Sequence, residues 1–103
     1  MSDTPAVDSP RHARALPDTL TVDVQMWTPL RGRLHDFTTL ECDTPRPLPR
    51  DDDEWHRWAV AVLDAVARRD DWQPGRYYFR AEVLDDAGRQ AEVLTQDHWE
   101  YRT

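Results

Sequence analysis

Residues 51–69 read DDDEWHRWAVAVLDAVARR, and this stretch decides the fold. Trp55, Trp58, Ala59, Val62, Leu63 and Val66 recur at helical spacing and make one apolar stripe. Arg57, Ala61, Asp64 and Arg68 fall opposite it. Asp51 stands at the N-cap position with Glu54 three residues on, close to a capping box. The acidic run Asp51–Glu54 suits the positive end of the helix dipole, and Arg68 and Arg69 suit the negative end. As a calcium loop the run fails, because the ligands are not spaced and no glycine turn is present. Asp70–Asp71 and then Pro74–Gly75 end the helix. A helix with one apolar stripe must bury it against a second layer.

That layer is legible on both sides. Before the helix, Leu20, Val22, Val24 and Met26 alternate with Thr19, Thr21, Asp23 and Gln25, the period of a half-buried strand over Thr19–Trp27. Pro29 and Gly32 mark a turn near Thr28–Gly32. A second strand is expected over Arg33–Cys42, with Leu34, Leu40 and Cys42 on one face. Phe37 breaks that pattern, through a bulge near His35–Asp36 or by covering a second surface.

After the helix, Tyr77, Phe79, Ala81 and Val83 share one face of a strand over Arg76–Asp85. Tyr78, Arg80, Glu82 and Leu84 share the other, with Leu94 expected beside them. Asp85–Arg89, DDAGR, reads as a hairpin turn with Gly88 in the left-handed position. Closure by Asp85 and Arg89 predicts that Val83 faces Ala91, Ala81 faces Val93 and Phe79 faces Thr95. The last strand continues through His98–Tyr101. The segment PGRYYFRAEVLDDAGR resembles strand–turn–strand stretches of bacterial immunoglobulin-like domains over about one hairpin. The helix at 51–69 departs from such a domain.

The expected architecture is therefore two-layer α+β: an antiparallel sheet of about four strands in β-β-α-β-β order, with one amphipathic helix packed on one face. Pro45, Pro47 and Pro49 exclude a helix or central strand over Asp43–Arg50, which reads as an extended connector. Residues 1–17 hold three prolines and little apolar matter, and are expected to be a disordered tail before a single domain at 18–103. Arg11, His12 and Arg14 suit that tail to contact with an acidic partner.

Composition narrows the function classes. The chain has 20 acidic against 13 basic residues, a net charge of -7, which counts against a general nucleic-acid binder. All the basic residues are arginine, and lysine, asparagine and isoleucine are absent, the signature of a high-GC bacterial genome. One cysteine, Cys42, cannot form an internal disulfide, and the chain shows no leader or membrane span, so a cytoplasmic protein is expected.

No catalytic constellation stands out. Three scattered glycines make no phosphate loop, and one cysteine makes no paired-thiolate zinc site. No cofactor and no metal are expected. His98 and Glu100 share a strand face two residues apart, and His35 adjoins Asp36; either pair is the seed of a small-enzyme reading. His35 and Cys42 lie seven apart and point to opposite faces of a regular strand, against a shared site.

The five tryptophans carry more information. Trp55 and Trp58 belong to the helix stripe. Trp27, Trp72 and Trp99 sit at element ends, with Tyr78, Arg80 and Tyr101 near them, and together these six are the candidate binding residues. The expected function is a small non-enzymatic binding or assembly module making protein–protein contacts or a homodimer through aromatic and arginine side chains. The alternatives are a nucleic-acid-associated or acidic DNA-mimic protein, and a small enzyme on His98/Glu100 or His35/Asp36.

Overall fold

The computed structural model describes residues 16–28 and 32–102. Their elements run β1 (Thr19–Thr28), β2 (Arg33–Asp43), α1 (Asp52–Asp70), β3 (Gly75–Leu84) and β4 (Gln90–Tyr101). The tail reading of residues 1–15, with Arg11, His12 and Arg14, lies outside the described residues, as do residues 29–31 of the expected turn.

The four strands form one antiparallel sheet in the order β2-β1-β3-β4. Because β1 runs antiparallel to both neighbours, β2 and β3 run in the same direction with β1 between them. The β2–α1–β3 connection therefore crosses over β1, and α1 packs on the sheet toward β4. This is the expected α+β architecture.

The ends of α1 follow from its sequence. The Asp51 side chain accepts a hydrogen bond from the Glu54 N–H at 2.9 Å, and Glu54 Oε1 reaches back to the Arg50 N–H at 2.8 Å. The Arg50 guanidinium also holds the Glu54 carboxylate, at 3.0 Å, and keeps it below its ordinary range. At the other end Asp71 adopts the left-handed conformation, with φ 58° and ψ 51°, and Trp72 N–H donates to the Ala67 carbonyl at 2.9 Å. That six-to-one bond is a Schellman ending. Trp55, Ala59, Leu63 and Ala67 are buried, while Trp58, Val62 and Val66 are half-buried. The buried stripe is thus centred on the 55-59-63-67 row, one side of the broader stripe that the sequence shows.

The core lies between α1 and the inner face of the sheet. Leu20, Val22 and Val24 of β1 and Tyr77, Phe79 and Ala81 of β3 are fully buried. Leu16 belongs to this cluster, and the Pro17 carbonyl accepts from the Thr44 hydroxyl. Leu16 and Pro17, which the expected tail included, are thus tied to the folded residues. Thr44 N–H also donates to the Asp18 carbonyl at 2.8 Å, fastening the start of the connector to the entry of β1. Leu48, further along the connector, packs on the core.

Two bulges correct the expected hairpin register. Asp85 N–H does bond the Arg89 carbonyl, at 2.7 Å, and Gly88 takes φ 81°. Yet Val83 faces Glu92, Ala81 faces Thr95 and Phe79 faces Asp97, because Ala91 and Leu94 are each the extra residue of a bulge in β4. The reason is packing. In the unbulged register Leu94 would fall on the outer face, whereas the bulge carries it into the core, fully buried. A third bulge, in β2, falls at Phe37, between the pairs Val24–Thr38 and Gln25–Asp36. It lets Phe37 meet the inner aromatic rings.

Candidate functional site

The outer face of the sheet carries the residues that α1 does not cover. At its middle they form a hydrogen-bonded row across all four strands. The Thr39 hydroxyl of β2 donates to Asp23 of β1 at 3.3 Å, and the Arg80 guanidinium of β3 reaches Asp23 at 3.5 Å and Glu82 at 3.1 Å. Gln90 of β4 then donates to Glu82 at 2.8 Å. The Glu82 side chain is only 9% exposed, so these donors are what make its burial tolerable.

One end of this face changes character. Gln25 donates to Asp36 at 3.3 Å, and Tyr78, directly opposite Gln25, donates its hydroxyl to Gln96 at 2.8 Å. The Tyr78 and His98 rings meet at 5.3 Å. Trp27, two residues beyond Gln25 and opposite Leu34, is half-buried. Trp27, Tyr78 and His98 therefore put aromatic surface on β1, β3 and β4 beyond the point where the charged row stops.

The six candidate binding residues divide between the two faces. Trp27, Tyr78 and Arg80 lie on the outer face, with Arg80 engaged by Asp23 and Glu82. Trp72 and Tyr101 are buried, and half-buried Trp99 packs on the same inner cluster. Trp72 meets Phe37 at 4.9 Å and Tyr77 at 5.5 Å; Tyr77 meets Trp99 at 5.6 Å, and Trp99 meets Tyr101 at 5.4 Å. The left-handed turn at Asp71 is what swings Trp72 inward. Burial pushes the Tyr77 hydroxyl above its ordinary pKa, with a smaller push from Tyr101, and that hydroxyl donates to the Gln73 carbonyl.

The pairs considered for catalysis are engaged locally. His35 shares a hydrogen bond with the Thr28 hydroxyl at 2.9 Å, while neighbouring Asp36 points to the other face and accepts from Gln25. Glu100 accepts from Arg102 at 3.4 Å. Arg76, His98, Trp99 and Glu100 line a groove of about 410 Å³ at the β4 edge of the sheet. Cys42 is half-buried, and burial first, then Asp43, raises its thiol pKa, the opposite of an activated nucleophile. Among the described residues no group of three or more His, Cys, Asp or Glu is placed to hold a metal ion.

One polar contact was not legible in the sequence. His56 Nε2 on α1 lies 3.1 Å from Asp97 Oδ2 on β4, and the His56 ring meets Phe79 at 5.7 Å. The two residues are far apart in the chain and join only because the bulges in β4 bring Asp97 opposite Phe79. The helix row alone would have placed His56 beside Trp55 without saying what it meets.

Among the described residues no helix is long and apolar enough to cross a membrane. No protein-family model matches the chain, and no curated protein or solved structure matches it either.

Proposed function

We propose that this protein is a small, non-enzymatic, cytoplasmic binding module that contacts a protein partner through the outer face of its sheet. The observation that carries this is the aromatic end of that face. Trp27 and Tyr78 stay partly open there, beside His98 and next to a row of satisfied charges. Aromatic anchors with arginine nearby are what fully desolvated interface centres use. The surrounding row supplies a polar rim held in fixed geometry. The net charge of -7 favours a protein partner over a nucleic acid. Trp72, Trp99 and Tyr101 support the face from behind and do not contact the partner.

The test is affinity capture from host extract on the full chain, followed by mass spectrometry, with the Trp27→Ala/Tyr78→Ala double variant as the comparison. The expected result is a protein retained by the wild type and lost from the variant, while the far-ultraviolet circular dichroism of the two chains matches. A protein retained equally by both, or none retained by either, overturns the proposal.

A further inference from the structure

Charge is spread unevenly over the outer face. On the edge strand β2, Asp36, Thr39, Glu41 and Asp43 stand opposite Gln25, Asp23, Thr21 and Thr19 of β1, the residues that alternate with the buried Leu20, Val22 and Val24. All four therefore share the outer face, and all are exposed. The bulge at Phe37 is what brings Asp36 there. Without that extra residue, Asp36 would fall on the inner face with Thr38, Leu40 and Cys42. Asp36, Glu41 and Asp43 thus form one column about 20 Å long, three two-residue steps of the strand. Among the described residues no arginine is paired with any of them. Asp36 accepts from the Gln25 amide, and of the β3 arginines Arg80 is held by Asp23 and Glu82 while Arg76 stands opposite Glu100. At one end of the column Trp27 faces Leu34, the outer-face residue of β2 next to Asp36.

We propose that the protein partner of the outer face presents a basic segment, which lies along β2 with cationic side chains on Asp36, Glu41 and Asp43 and an apolar residue against Trp27 and Leu34. This deepens the outer-face reading and rests on it. Charge complementarity selects the occupant. A neutral segment would strip water from the column and return no counter-charge, and an acidic one would set like charges together. A basic segment pairs each carboxylate. The two-residue spacing of the column suits an extended segment, whose side chains on one face recur at the same interval. Arginine fits better than lysine, because its planar fork takes both oxygens of a carboxylate and stacks on an aromatic ring such as that of Trp27.

The probe is an end-blocked octa-arginine peptide carrying a fluorophore, titrated with the full chain at low ionic strength and read by anisotropy. The wild type is expected to bind it. Asp36→Asn/Glu41→Gln/Asp43→Asn is expected to bind about ten-fold more weakly, through the loss of three exposed ion pairs. Asp53→Asn/Asp70→Asn/Asp86→Asn removes the same charge from α1 and the β3–β4 turn, and is expected to change binding by no more than about two-fold. Both variants alter exposed residues only, and thermal unfolding checks that each is folded. No binding by the wild type overturns the proposal. So do equal losses in the two variants, because net charge alone would then account for the binding. Failure here is distinguishable from failure of the outer-face reading. A host protein that is captured through Trp27 and Tyr78, yet retained in full by Asp36→Asn/Glu41→Gln/Asp43→Asn, overturns the basic segment and leaves that reading standing.

Discussion

The two faces of this sheet are built from the same strands and satisfied by different physics. The inner face is mainly an apolar layer in which Trp72, Tyr77, Trp99 and Tyr101 touch ring to ring beside Phe79 and the buried helix row, with Phe37, 38% exposed, closing its rim against Trp72 and Tyr77. The outer face is knit together by charge, through the row from Thr39 by Asp23, Arg80 and Glu82 to Gln90. One side excludes water by area, and the other tolerates partial burial because each charge has a partner. In a domain this acidic, the difference teaches that aromatic count does not locate a contact surface. Most of the large rings are spent closing a small core, and the proposed surface falls where Trp27 and Tyr78 stay partly open beside a satisfied polar row.

The sharpest way to break the comparison is to empty one position on each face and compare the losses. Phe79 is fully buried between β1 and β4, under the His56 ring. Phe79→Ala removes the ring and leaves a cavity, which costs about 3–5 kcal/mol. That is a large part of the roughly 5–15 kcal/mol typical of a domain this size, so the variant is expected to be largely unfolded at moderate temperature. Urea unfolding followed by tryptophan fluorescence measures it. A loss below about 1 kcal/mol would mean that the core closes over the gap and that the inner face is less tightly built than its burial implies.

The adjacent position points the other way and is expected to matter less. Arg80→Ala removes the donor that holds Asp23 and Glu82 together, while Gln90 still serves Glu82. The Arg80 side chain is 34% exposed, so solvent replaces part of what is lost. A cost of about 1–2 kcal/mol is expected, from one nearly buried carboxylate left short of a charged donor. The same urea titration decides it. A loss as large as that for Phe79→Ala would show that the polar row is as much a core as the aromatic layer.

Legibility in the sequence followed the same division. Period and caps were enough for the inner layer in outline, because Leu20, Val22 and Val24, or Tyr77, Phe79 and Ala81, need only alternate to declare a face. The capping pair Asp51 and Glu54 was legible because it acts within one turn. What failed was whatever depends on a bulge. Leu94 could not be placed until the insertion opposite Ala81 and Glu82 was known, and with it went Asp97 and its contact to His56. Phe37 signalled its bulge by breaking the β2 pattern, but not which rings it would meet. For the candidate surface, Tyr78 and Arg80 were legible by alternation along β3. Trp72 was misjudged, because its burial depends on a backbone turn at Asp71 that sequence periodicity does not encode.

That turn offers the smallest and most specific test. Asp71 holds φ 58° without being a glycine, and its neighbour Trp72 owes its place under Phe37 and Tyr77 to that conformation. A side chain in the left-handed region costs roughly 1 kcal/mol that glycine does not incur, offset in part by the greater freedom of glycine in the unfolded chain. Asp71 also lies at the negative end of the α1 dipole, where a carboxylate is unfavourable. Asp71→Gly is therefore expected to stabilise the domain by about 0.5–1 kcal/mol without moving Trp72. The measurement is the shift in unfolding midpoint, together with an unchanged near-ultraviolet circular dichroism spectrum from the clustered rings. A destabilised variant with an altered spectrum would show that the aspartate side chain itself, and not only the left-handed backbone, seats Trp72 in the inner layer.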